Sequence, residues 1–102
     1  MSALQPINPQ WGSNKLLTAN SGSQSAVINA QTKQIHVENT GTSNPVYIRT
    51  GNSRYGTVTA TTADFRISPG TVEVFTKPQD DDRLAYISAS GTTLEIIECE
   101  GW

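Results

Sequence analysis

Phe65-Arg66-Ile67-Ser68, then Pro69-Gly70, then Thr71-Val72-Glu73-Val74-Phe75-Thr76-Lys77: two strand-length runs of β-prone residues stand on either side of a two-residue break. The pattern then repeats. Turn-rich residues 78–82 lead into 83–89, Ser90-Gly91 interrupts, and 92–99 closes the series. Each run has strand length, and each break carries turn formers. Pro69-Gly70 suits the two central positions of a type II turn, where glycine takes the positive φ. The runs flanking it are therefore expected to pair with each other as an antiparallel hairpin. Along an extended chain side chains alternate between faces. Val72, Val74 and Thr76 thus oppose Glu73 and Phe75, Leu84 and Tyr86 oppose Ala85, Ile87 and Ala89, and Leu94 and Ile96 oppose Ile97 and Cys99. The last strands carry apolar residues on both faces. One face must meet a second sheet, and the other needs cover from an arm, a loop or another chain.

The same grammar extends toward the N-terminus. Residues 33–39 alternate well, with Ile35 and Val37 against Gln34, His36 and Glu38. Residues 45–50 place Pro45 at a tolerated first strand position and set Val46 and Ile48 against Tyr47 and Arg49. Shorter candidates lie at 14–19, with Leu16 and Leu17, and at 25–30, with Val27 and Ile28. No stretch shows a useful helical period. Seven or eight short strands pack most naturally as two stacked antiparallel sheets. The expected fold is all-β: a small antiparallel β-sandwich, jelly-roll-like, formed by residues 14–102 as a single domain, with an extended N-terminal arm at 1–13. In the arm, Pro6 and Pro9 disfavour helix, yet Leu4, Ile7 and Trp11 are residues a solvated tail does not need. It is either a frayed end, a segment folded back on its own sheet, or an arm that docks on a neighbouring subunit. Residues 51–64 read as a hairpin arm or a long surface loop, with Arg54 and Tyr55 of the type favoured at interfaces. Trp102 either covers a core edge or anchors a contact.

Of the 102 residues, 35% are hydrophobic and 16% charged, both low for a globular chain. Thr, Ser, Asn, Gln and Gly fill the difference, which is not the high-charge signature of disorder. A core this lean is expected to draw stability from neighbours. The net charge of −2 comes without a basic stripe, so nucleic acid is not an expected partner. No run approaches the ~18 apolar residues of a membrane helix, and no basic-then-apolar leader opens the chain, so neither a membrane nor a signal peptide is expected. The single Cys99 excludes an intrachain disulfide and reads as a buried structural thiol.

Little here promises chemistry. His36, the one histidine, sits on the polar side of its strand with no Cys or second His near it in sequence, and reads as a surface residue. Asp80-Asp81-Asp82 offers oxygen ligands for a hard cation, but adjacent residues of an extended chain point apart and no calcium-loop spacing is present. The plainer account is a solvated turn whose charges keep strand edges from mispairing. Glu95, Glu98 and Glu100 form a looser acidic set with no aromatic-lined cleft implied. No metal, no cofactor and no enzymatic activity are expected.

Five segments carry a likeness: Gln34-Ile35-His36-Val37-Glu38-Asn39-Thr40-Gly41, Val46-Tyr47-Ile48-Arg49-Thr50-Gly51, Ser68-Pro69-Gly70-Thr71, Leu84-Ala85-Tyr86-Ile87-Ser88-Ala89-Ser90-Gly91-Thr92-Thr93-Leu94, and Glu100-Gly101-Trp102. Slightly over half the chain in this way resembles the small head decoration, or cement, proteins of tailed bacteriophages. The likeness is one of strand and turn, and the arm and residues 51–64 lie outside it. The resemblance implies a β-sandwich or jelly-roll subunit, made in the host cytoplasm and placed on the outer capsid surface of the virion. It implies homotrimers that bridge subunits of the major capsid protein. Leu4, Ile7, Trp11, Arg54, Tyr55 and Trp102 are then the candidate subunit or capsid contacts. A tail or head–tail joining protein and a carbohydrate-binding module are the competing expectations.

Overall fold

The computed structural model describes residues 14–99. Within them lie eight strands: β1 (Lys15–Ala19), β2 (Gln24–Val27), β3 (Gln34–Asn39), β4 (Val46–Gly51), β5 (Phe65–Ile67), β6 (Val72–Thr76), β7 (Arg83–Ile87) and β8 (Thr92–Cys99). One 3-10 turn, Ser53–Tyr55, follows β4. The arm at 1–13 with Leu4, Ile7 and Trp11, and the terminal Trp102, lie outside the described residues.

All pairings are antiparallel and nested: β4 with β5, β3 with β6, β2 with β7 and β1 with β8. The chain is thus one long hairpin folded at residues 52–64. Rolling it up adds the pairs β3–β8 and β4–β7 and produces two four-stranded sheets, β1-β8-β3-β6 and β2-β7-β4-β5. That order is a jelly roll, the double-sheet solution in which eight strands form two Greek keys. The expected all-β sandwich is the one observed.

The period-2 pattern explains the core. Ile35 and Val37 of β3, Leu94 and Ile96 of β8, and Leu17 and Ala19 of β1 face inward from one sheet. Val46 and Ile48 of β4, Leu84 and Tyr86 of β7, and Ile67 of β5 meet them from the other. Phe75 of β6 packs against this cluster and sets its ring centroid 6.2 Å from that of Phe65, bridging the sheets at one margin.

One expectation fails. The Pro69-Gly70 turn exists: the Thr71 N–H donates to Ser68 O at 3.2 Å, and Gly70 has φ +74°. Yet β5 and β6 do not pair with each other. The turn carries the chain from one sheet to the other, where β5 finds β4 and β6 finds β3. Asn39, fully buried, fixes this corner. Its N–H donates to Thr71 O and its carbonyl accepts from Gly70 N–H, each at 2.9 Å. Its side-chain amide donates to Ile67 O (3.0 Å) and Asn44 O (2.9 Å) while Oδ1 accepts from Gly41 N–H (3.0 Å) and Thr92 Oγ1 (2.8 Å). All hydrogen-bonding capacity of the side chain is used.

The outer faces of the two sheets differ. Residues 56–64 fold back over the β2-β7-β4-β5 sheet. Val58 occupies the space beside Gly51, where an added Cβ would stand 2.7 Å from a Val58 methyl. The Ala60 N–H donates to Ser23 Oγ at 2.8 Å, and Arg49 pairs with Asp64 at 2.9 Å. Ala85, which faces outward on β7, is fully buried. Of the two forms expected for 51–64, the surface loop is the one present. On the β1-β8-β3-β6 sheet, by contrast, Leu16 is 74% exposed, and Val72 and Val74 are 45% and 43% exposed.

Candidate functional site

The strand directions divide the connections between two ends. One end carries residues 20–23, 40–45, 68–71 and 88–91. The other carries 28–33, 52–64 and 77–82, and there the described chain also begins, at Asn14, and finishes, at Cys99. We term this the open end. Its connections are tied to one another: Ile28 N–H to Asp82 O and Asp82 N–H to Gly51 O, both 3.0 Å, Lys77 N–H to Lys33 O at 2.7 Å, and Lys33 N–H to Cys99 O at 3.3 Å.

Arg54 and Tyr55 stand on the open end, on the 3-10 turn. Asn52 caps it, its Oδ1 accepting the Arg54 N–H at 2.8 Å. Ser53 clamps it from below, donating its N–H and its hydroxyl to the Asp82 carboxylate at 2.9 Å each. Those two bonds, the backbone one foremost, hold the Asp82 carboxyl below the usual carboxylate value; partial desolvation opposes them and the Arg83 guanidinium at 3.3 Å adds to them. A short polar sequence is thereby preorganised to present Tyr55, a residue 82% exposed. A second carboxylate of the acidic turn, Asp81, ties that turn to β4 by accepting from Thr50 Oγ1 at 2.8 Å. Asp80 adopts φ +72°, the one positive φ of a non-glycine among the described residues. Tyr55, Asn52, Gln79, Asp80 and Asp81 surround a depression of about 400 Å³. No group of three or more metal-ligating side chains is brought together among the described residues.

His36 is not the plain surface residue its position suggested. The register sets it between Ile97 and Val74, and its Nδ1 is buried without a hydrogen-bond partner. Glu95 accepts from Asn14 Nδ2 at 2.7 Å, whereas Glu98 turns inward, accepting the Asn29 N–H and the Thr32 hydroxyl. Cys99 is fully buried as expected, and burial, with Glu98 beside it, pushes its thiol pKa up. Glu100 lies outside the described residues.

Sequence reasoning missed Lys77. It is 3% exposed, its Nζ donating to Ala30 O at 3.1 Å and to Pro78 O at 3.3 Å. A lysine at a strand end beside a proline reads as solvated. Its burial comes from residues 28–33, a segment remote in sequence. No family model matches the chain, and no characterised protein matches it by sequence.

Proposed function

We propose that this chain is a non-enzymatic structural protein of a bacteriophage virion, a homotrimer that decorates the outer capsid and cements it by bridging major capsid protein subunits. The reading rests on the resemblance of the strand and turn segments and is supported above all by the open end. Arg54 and Tyr55 stand on it. The described chain also begins there, at Asn14, and finishes there, at Cys99. A braced loop that displays Arg54 and Tyr55 on one end of the sandwich supports the reading, as a protein that grips neighbours requires such a surface. On the outer face of the β1-β8-β3-β6 sheet Leu16 at one edge and Val72 and Val74 at the other are exposed, with Glu95 and Glu38 between them. Many modest ties of this sort, each up to a standard interface of ~1,600 Å², act together on a shell by avidity.

Co-sedimentation with purified capsids tests the proposal. The full chain is expected to pellet with particles and to appear by electron microscopy on the shell, and a chain lacking residues 1–13 is expected to stay folded and remain in the supernatant. Normal occupancy after that deletion removes the arm from the mechanism, and density along the tail replaces decoration with a joining role. A carbohydrate-binding reading is favoured by one feature, the depression that joins the exposed Tyr55 ring to Asn52, Asp80 and Asp81. A glycan array in which Tyr55→Ala abolishes a signal would establish it.

A further inference from the structure

Beside the Tyr55 loop, the open end holds a second concavity. A cleft of about 480 Å³ lies between residues 30–34 and 76–79, with Gln31, Thr32, Lys33, Lys77 and Gln79 among its walls. Lys77 is the unusual member. An ammonium has three N–H donors, and here two are taken by neutral carbonyls, those of Ala30 and Pro78. Among the described residues no carboxylate stands within ion-pair distance of the buried Lys77 ammonium; the buried Glu98 carboxylate, behind the same wall, accepts instead from Thr32 and Asn29. Burying a cation without a counter-charge is costly, and an anion entering the cleft relieves that cost. A second lysine, Lys33, stands exposed in the same wall and adds positive potential.

We propose that this cleft is a carboxylate-binding subsite for an acidic peptide segment, with the Lys77 ammonium as its fixed cation. Among the described residues the walls hold no aromatic ring on which a sugar could stack, whereas the Gln31 and Gln79 amides match the donors and acceptors of a peptide backbone. The inference rests on the contact reading of the open end for the protein nature of the ligand. The carboxylate is that of an Asp or Glu side chain on a partner segment.

An NMR titration of the full-length chain with the peptide acetyl-Gly-Glu-Gly-amide, and with its Gln counterpart, decides the matter. Saturable shifts of the amides of residues 30–34 and 76–79 are expected with the glutamate peptide. Loss of the charge should weaken binding roughly tenfold, the difference of ~1.4 kcal/mol between a charge-assisted and a neutral hydrogen bond. Lys77→Met is expected to abolish the response and Lys33→Met to weaken it. Should Lys77→Met not fold, the comparison of the two peptides on the unaltered chain still decides. An equal response to both peptides, or none in this region, overturns it. A chain that takes the glutamate peptide but does not sediment with capsids keeps the subsite and loses the virion reading; the reverse pair of results does the opposite.

Discussion

The two ends of this sandwich solve opposite problems. The end holding residues 40–45, 68–71 and 88–91 is knotted. Asn39 reaches four segments, Ser88 is fully buried with its hydroxyl donating to Pro45 O at 2.7 Å, and its N–H donates to Asn20 O at 2.9 Å. The open end has the long loop, the exposed aromatic and a buried lysine without an ion-pair partner among the described residues, while depressions occur at both ends, about 360 Å³ beside residues 41–44 and 91–93 and about 480 Å³ in the Lys77 cleft. Polar side chains at the first end complete the fold. At the second, polar side chains hold a shape that nothing within the described chain fills. Loops on a rigid scaffold are where binding concentrates, and here the scaffold is rigid at one end for a loop system displayed at the other.

Substitutions sharpen that contrast. Asn39→Ala is expected to have the largest effect on stability, because it strands several buried donors and acceptors at ~1–3 kcal/mol each. Denaturant melts should show a loss of about 3 kcal/mol or more, and thermal melts a drop on the order of 10–20 °C. Gly51→Ala comes next: its Cβ would press on Val58, so the loop must lift or strain at a cost of ~1–3 kcal/mol, and faster exchange of the Ala60 N–H would report the lifting. Ser88→Ala should cost about 1 kcal/mol. Tyr55→Ala, in contrast, is expected to leave stability within ~0.5 kcal/mol, since its side chain is exposed, while impairing capsid attachment. A Tyr55→Ala chain as damaged as Asn39→Ala would dissolve the distinction between the ends.

Strong acid should loosen the open end through Asp82. The Asp82 carboxyl titrates below its usual 3.8, so its clamp on Ser53 contributes stability above that value and loses it as pH falls through the depressed one. Asp82→Asn should flatten this part of the acid profile. Cys99 behaves in the opposite sense. Its raised pKa means that the buried neutral thiol contributes fully below its usual 9.0 and fades as alkaline pH passes the raised value; alkylation at pH 8 should be slow in the native state and fast in denaturant.

What the sequence revealed was local. The alternation of Ile35 with Val37 and of Leu94 with Ile96 identified inward faces correctly, because a strand's period is a property of its own backbone. Pro69-Gly70 identified a turn and its glycine geometry for the same reason. The partners of the flanking strands were hidden, because a turn type does not say whether its arms share a sheet. That choice was made by β3, β4 and Asn39, from 19 to 36 residues upstream of Gly70. Arg54 and Tyr55 were singled out by residue type, and the structure seats them on a braced loop. Lys77 went unnoticed since its environment is assembled from residues 28–33. The leanness of the core remains a test of association: a chain that stays fully folded when diluted to nanomolar concentration does not depend on neighbours.

The nesting of the strands has a consequence for biogenesis. Lys15 pairs with Ile96, so the earliest strand must wait for the latest. Such non-local pairing slows folding, because loop closure precedes its reward. During synthesis β1 and β3 stand without β8, their common neighbour in the sheet, until residues 92–99 have left the ribosome. Nascent chains cut short before residue 92 would expose Leu17, Ile35 and Val37 and be removed as unfolded material.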